Sequence, residues 1–169
     1  MVIWIIGLSG VGKSSLADEV VRLARAEGKQ GVLLVDGDVL REVFGGDLGY
    51  SEEDRSKNMK RMARLCRYID AEGAHAVAAV LAPFQETRDW CRKYIPDYYE
   101  VFIDAPLEHL KARDPKGHYG RALAGEAGLP GINQIYERPS SPDLVINNSG
   151  SLEALLVNAA ALAELFVIR

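Results

Sequence analysis

The segment Gly7-Leu-Ser-Gly-Val-Gly12-Lys13-Ser14 restricts what this chain can fold into more than any other. It fits G-x-x-x-x-G-K-[ST] and sits between an unbroken apolar run, Val2 to Ile6, and a stretch whose Leu16, Val20, Leu23 and Ala24 recur at helical spacing. Strand, glycine loop and helix in that order form a phosphate cradle. Glycines at 7, 10 and 12 let the backbone turn its N–H groups inward, and the helix that follows presents its positive end to the anion. Ser9 and Ser15 flank the same loop, Lys13 supplies a cation for the terminal phosphates of ATP, and the Ser14 hydroxyl is placed to hold Mg²⁺.

The same alternation continues along the chain. Val32 to Val35 is a second apolar run ending in Asp36-Gly37-Asp38, a helical pattern covers Glu52 to Glu72, and Ala76 to Leu81 is a third run. A charged helical segment from Gln85 to Tyr94 precedes a strand-like Tyr99 to Ile103, and Leu144 to Ile146 precedes a closing helix from Leu152 to Leu165. Alternating strands and helices predict an α/β fold of P-loop NTPase type: a three-layer sandwich with a mostly parallel central sheet of about five strands and helices on both faces. Ligands in such folds bind beyond the carboxyl ends of the strands. The one long connection, about 113 to 139, reads as a lid, and residues 1 to 169 read as a single domain.

A net charge of −4 gives no general attraction to nucleic acid, so an anionic ligand must be held by locally placed cations. Met1 to Ile6 is too short to span a membrane and has no basic leader, so neither a membrane nor a nucleic acid is expected as partner. Cys66 and Cys91 lack metal-ligand spacing and read as structural thiols of a cytoplasmic protein.

Phosphoryl transfer to a hydroxyl needs the acceptor oriented and its proton accepted, and Asp36 and Asp38 end the second predicted strand. The third ends Val80-Leu81-Ala82-Pro83 without an acid, so the metal-organising carboxylate must come from elsewhere or act through water; Asp36 is the nearest candidate, and Asp38 would meet the acceptor. Asp-Gly-Asp also suits a simple turn. Arg41, Arg55, Asn58, Lys60 and Arg61 cluster next, with Arg55 and Asn58 on one helix face; they suit either an anionic acceptor or a solvated basic surface.

Longer stretches resemble the adenylylsulfate kinase family, which phosphorylates the 3′-hydroxyl of adenosine 5′-phosphosulfate with MgATP. They are IIGLSGVGKSSLA, VDGDVLRE, DLGYSEEDRSKN, VFIDAPLE and ARDPKGHYGRALAGE, then GI and YERPSSPDLVI. The resemblance implies Lys13, Asp36 and Asp38 as catalytic, with Asp38 near the acceptor hydroxyl. It puts Arg41, Arg55 and Asn58 on the substrate, Tyr50 against its base, Lys116 and Ile132 on the lid, and Arg113 as a lid cation over the phosphates. A homodimer is also implied. Four departures stand out. Ala82 replaces a serine that is sometimes phosphorylated, Leu129-Pro130 replaces Phe-Thr in a lid one residue shorter, Ile135 replaces a proline, and Val39 an asparagine. Ala82 requires direct transfer, and Leu129 removes half of an aromatic sandwich worth ~1–3 kcal/mol. The lid change raises a second reading, a related kinase of another nucleotide-linked acceptor such as cytidine diphosphoramidate; a third is a nucleotide-binding module without turnover.

Overall fold

The computed structural model describes residues 1–114 and 116–166. Pro115 of the Arg-Asp-Pro-Lys-Gly stretch and the last three residues of the chain lie outside them. Val2–Ile6 forms β1, with all five residues buried, as a strand covered on both faces must be. Its alternation assigns the two layers of the core. Ile3 and Ile5 join the cluster that contains Leu16 and Val20, whereas Val2, Trp4 and Ile6 join the one that contains Met62 and Cys66.

Lys13–Ala26 is α1, Val32–Asp36 is β2, Gly37–Val43 is α2 and Glu52–Ala71 is α3. His75–Ala79 forms β3, Gln85–Tyr94 α4 and Tyr98–Asp104 β4. Leu107–Arg113 and His118–Leu123 are α5 and α6, Leu144–Asn147 is β5, and Leu152–Leu156 and Asn158–Glu164 are α7 and α8. The sheet order is β2-β3-β1-β4-β5 and every pairing is parallel. α1, α7 and α8 cover one face, α3 and α4 the other.

Three expectations shift. β3 stops at Ala79; Val80, whose N–H still donates to the Ile5 carbonyl at 3.0 Å, and Leu81 beyond it wall a cavity. The long connection contains a helix of its own, α6. The closing helix is broken at the exposed Val157, because the Asn158 side chain donates to the Leu155 carbonyl at 2.9 Å and so caps α7. Cys66 and Cys91 are buried free thiols; burial pushes the Cys66 thiol up beyond the range of physiological reactivity and Cys91 up to about 12.

β1 sits at the middle of the sheet, so the loop that follows it emerges at the centre of the carboxyl edge. Buried Asn148, just past β5, donates from Nδ2 to the Val11 carbonyl at 2.9 Å and ties the far edge of the sheet to that loop. Asn148→Ala leaves a buried carbonyl unpaired and is expected to cost about 1–3 kcal/mol of stability, measured by urea unfolding. An unchanged midpoint and slope would remove this bond from the account.

Candidate active site

The loop after β1 takes the shape its glycines permit. Gly7, Gly10 and Gly12 have φ of 148°, 73° and 101°. A Cβ on Gly7 would lie 2.5 Å from the Ile103 carbonyl oxygen, and one on Gly12 would lie 2.4 Å from Leu155 Cδ2. Gly7 therefore excludes a side chain on space as well as on backbone angle, whereas at Gly12 the backbone angle is the stronger bar, since the Leu155 side chain could shift. Lys13 opens α1 and folds back so that Nζ donates to the Leu8 carbonyl at 2.8 Å. It keeps some surface toward the cavity, yet the protein crowds its ammonium, and that desolvation lowers its pKa to about 8. Asp38 and Asp36 oppose the shift while Lys116 adds to it.

Ser14 Oγ donates to Asp36 Oδ2 at 2.7 Å, and Asp36 Oδ1 accepts from the backbone N–H groups of Asp38 and Val39. Asp36 is thus both the N-cap of α2 and the neighbour of the phosphate-loop hydroxyl. A hydroxyl beside a carboxylate is a pair of hard oxygen donors, which fits Mg²⁺ held mainly through phosphates and water. No group of three or more His, Cys, Asp or Glu gathers into an all-protein metal cage among the described residues.

Asp38 faces the lid: its Oδ2 accepts from Lys116 Nζ at 2.8 Å. The protein around Asp38 disfavours its charge, but Lys116, Lys13 and His118 outweigh that and hold the carboxyl below its ordinary value. His118 joins the same group from α6, with Nδ1 3.0 Å from Ser9 Oγ. A cavity of about 590 Å³ extends from the phosphate loop past Asp38 to Arg41, Tyr50, Arg55 and Asn58. Val80, Leu81, Pro83 and Leu129 supply its apolar wall.

Residues of the basic cluster separate here. Arg41 and Arg55 both place their guanidinium carbons over the Tyr50 ring, at 4.7 and 5.3 Å from its centroid. Arg55 also reaches the lid, donating to the Gly128 carbonyl and the Gln134 side chain at 3.0 Å each, while Gln134 donates to the Tyr50 carbonyl at 2.9 Å. Desolvation, with repulsion from Arg41, lowers the Arg55 pKa. Asn58 is buried and its Oδ1 has no partner, although it borders the cavity. Arg61 instead pairs with Asp47, and Lys60 with Glu86, at the surface.

Two expected lid residues do not line this cavity. Ile132 packs against the core, and Arg113 donates to the Gly150 carbonyl at 2.6 Å on the loop after β5. The sequence reading missed Gln134, whose role depends on partners far away in the chain, and His118, which follows the Arg-Asp-Pro-Lys-Gly stretch directly.

Comparison with known proteins points one way. The family model described as adenylylsulphate kinase matches residues 1–147. The bifunctional enzyme NodQ of Rhizobium meliloti is 40% identical over 152 residues, which is 88% of this chain but 24% of that protein. The adenylyl-sulfate kinase of Paraburkholderia xenovorans is 42% identical over 147 residues, covering 86% of this chain and 82% of that one. Among solved structures, the Mycobacterium tuberculosis APS kinase CysC in complex with AMPPNP and APS superposes with a TM-score of 0.85 at 37% identity, covering 96% of both chains. With a match over most of its length, and the phosphate loop, Asp38 and Arg55 around one cavity, the chain belongs to the adenylylsulphate kinase family.

Proposed function

We propose that this protein transfers the γ-phosphoryl of MgATP to the 3′-hydroxyl of adenosine 5′-phosphosulfate, directly and in line, giving 3′-phosphoadenosine 5′-phosphosulfate and ADP. The observation that carries this reading is one cavity running from Lys13 and Ser14 past Asp38 to Arg41, Arg55 and Asn58. Donor phosphates occupy the loop end, where glycine N–H groups and Lys13 meet their charge. Ser14 and Asp36 would hold Mg²⁺, which would supply charge neutralisation for the triphosphate. At the other end Arg41, Arg55 and the free Asn58 Oδ1 meet the phosphosulfate and ribose, with Tyr50 and Leu129 beside the base.

Asp38 orients the 3′-hydroxyl; the bond to the γ-phosphorus forms as the bridging bond to ADP breaks, and the hydroxyl proton passes to the Asp38 carboxylate. A carboxyl with a depressed pKa is a weak base, but phosphoryl transfer is loose and the proton leaves late, so orientation is the larger contribution. Its partner Lys116 is easily displaced, because a solvent-exposed ion pair is worth only about 0–1 kcal/mol. We take residues 1–169 as one kinase domain whose segment 113–139 closes over both substrates. The buried free thiols suit a reducing cytoplasm, and a homodimer is the assembly the family suggests. No helix among the described residues is long and apolar enough to cross a membrane.

Asp38→Asn is expected to lower kcat roughly 10²- to 10⁴-fold while leaving ATP affinity within a few-fold. A coupled ADP assay with adenosine 5′-phosphosulfate tests this, and unchanged turnover removes Asp38 from catalysis. Leu129 on the cavity wall, in place of an aromatic, favours one competing acceptor class. A panel of phosphosulfate and nucleoside-diphosphate acceptors, including cytidine diphosphoramidate, at equal concentration separates the two by kcat/KM.

Lys13 gives a prediction in pH. Its folded-state pKa lies below its ordinary value, so burying the charged form costs stability below about pH 8, a cost that fades as pH rises toward the unfolded value. Triphosphate needs the charged form. ATP affinity should therefore fall by roughly tenfold from about pH 7 to about pH 9, with proton uptake on binding in calorimetry across buffers. A flat profile would exclude Lys13 from pairing with the phosphates.

A further inference from the structure

Outside the phosphate loop and its acids, one side chain is arranged in a way the fold alone does not require. Arg88, on α4, is 1% exposed and makes no hydrogen bond to a carboxylate. Its guanidinium donates from Nη1 to the Ala82 carbonyl, and from Nη2 to the Glu137 carbonyl and Gln85 Oε1 at 2.7 Å each. Its Nε has no partner. A buried cation whose hydrogen bonds all go to neutral oxygens is costly even with the buried Glu100 carboxylate acting on it through space, and packing could be had from an apolar side chain of the same length.

What those oxygens belong to gives the arrangement its meaning. Among the described residues, Ala82 is the one non-glycine with φ in the left-handed region, at 42°, and it is fully buried. That conformation strains any residue with a Cβ, and it persists where surrounding bonds over-determine it. Ala82 lies between Leu81 and Pro83, both on the cavity wall. Glu137 lies at the root of the lid, three residues after Gln134, which holds Arg55 and the Tyr50 carbonyl. Two further bonds close the clasp: Glu137 N–H to the Pro83 carbonyl at 2.8 Å, and Gln85 N–H to Glu137 Oε2.

We infer that Arg88 is a positioning residue for the acceptor: its buried guanidinium clasps the Ala82–Gln85 turn to the lid root at Glu137. It thereby sets both the apolar wall and the lid segment that carries Leu129 and Gln134. This rests on reading the Tyr50–Pro83 end of the cavity as the acceptor side. Arg88 touches no reacting atom, and the phosphate loop lies outside its bonds, so its loss should separate the two substrates.

Three variants test this: Arg88→Met, which keeps the length and removes every donor; Arg88→Lys, which keeps a charge and donors; and Glu137→Ala, which removes an exposed arm of the same clasp. Arg88→Met should raise the KM for the acceptor roughly tenfold with the KM for ATP nearly unchanged, Arg88→Lys should recover part of that loss, and Glu137→Ala should raise the acceptor KM about threefold. Hydrogen exchange at the Gln85 and Glu137 amides, measured on the intact ligand-free protein, should quicken in every folded variant. If Arg88→Met does not fold, Arg88→Lys and Glu137→Ala decide. Equal changes in both KM values, or unchanged exchange at those amides, overturn the inference. A wild-type protein inactive on adenosine 5′-phosphosulfate overturns the proposed acceptor alone; kinetics then use the acceptor that the panel identifies, and the exchange measurement still decides on Arg88.

Discussion

Partly desolvated cations gathered around one cavity are the constraint from which the other features of the site follow. The chain carries a net charge of −4, yet Lys13, Arg41, Arg55, Lys116 and Arg121 border the cavity against Asp36, Asp38 and Glu126. Desolvation is the largest cause that lowers the pKa of Lys13 and of Arg55; Lys116 adds to the first and Arg41 to the second, while Asp38 opposes both. The acids offset part of the cost of gathering these cations, and two anionic ligands would offset more. A site built this way gains affinity from ligand charge that it cannot gain from apolar area, and the net acidity of the surface keeps the attraction local.

That electrostatic excess also accounts for the contacts that the lid makes. Arg55 spends its donors on Gly128, Gln134 and the Tyr50 carbonyl, and Lys116 spends a donor on Asp38. These lid contacts therefore use groups that the proposed function assigns to a substrate. Acceptor binding must trade these bonds for bonds to its own oxygens, so the lid and acceptor are coupled by shared donors, with no separate device needed. Exposure of the Lys116–Asp38 pair keeps that trade inexpensive.

How much of this was legible in the sequence follows the distance over which each feature is determined. The phosphate loop, β1 and the Asp36 cap are fixed within a few residues by glycine freedom, unbroken apolar character and an acid before a helix, and all could be read directly. The position of Asp38 on the cavity beside the phosphate loop could also be read, since parallel strands place the ends of β2 and β1 at one edge. Gln134 could not: its partners Arg55 and Tyr50 lie 79 and 84 residues away. The same holds for Arg113, whose place beside Gly150 depends on β5 and the loop after it, 37 residues on. The break at Val157 was hidden because helical periodicity runs through it, and only the Asn158 side chain, turned back on α7, ends the helix.

Tyr50 shows where local and long-range determinants meet. Read from its motif, it is a stacking platform for a base, and the short lid without a phenylalanine removes its expected partner. In the folded chain the ring is already engaged by two guanidinium groups, Arg41 and Arg55, and Leu129 reaches the cavity wall as a small apolar surface. A guanidinium on an aromatic face contributes about 0.5–2 kcal/mol, comparable with the stacking that a lid phenylalanine provides. Under the proposed function, the base meets a tyrosine held in place by arginines where the family resemblance implies an aromatic sandwich. Such a surface would read the base less strictly and the anionic tail more strictly, since the same arginines would serve both. On that reading, selectivity rests on the charge and length of the acceptor's anionic arm more than on the identity of its base.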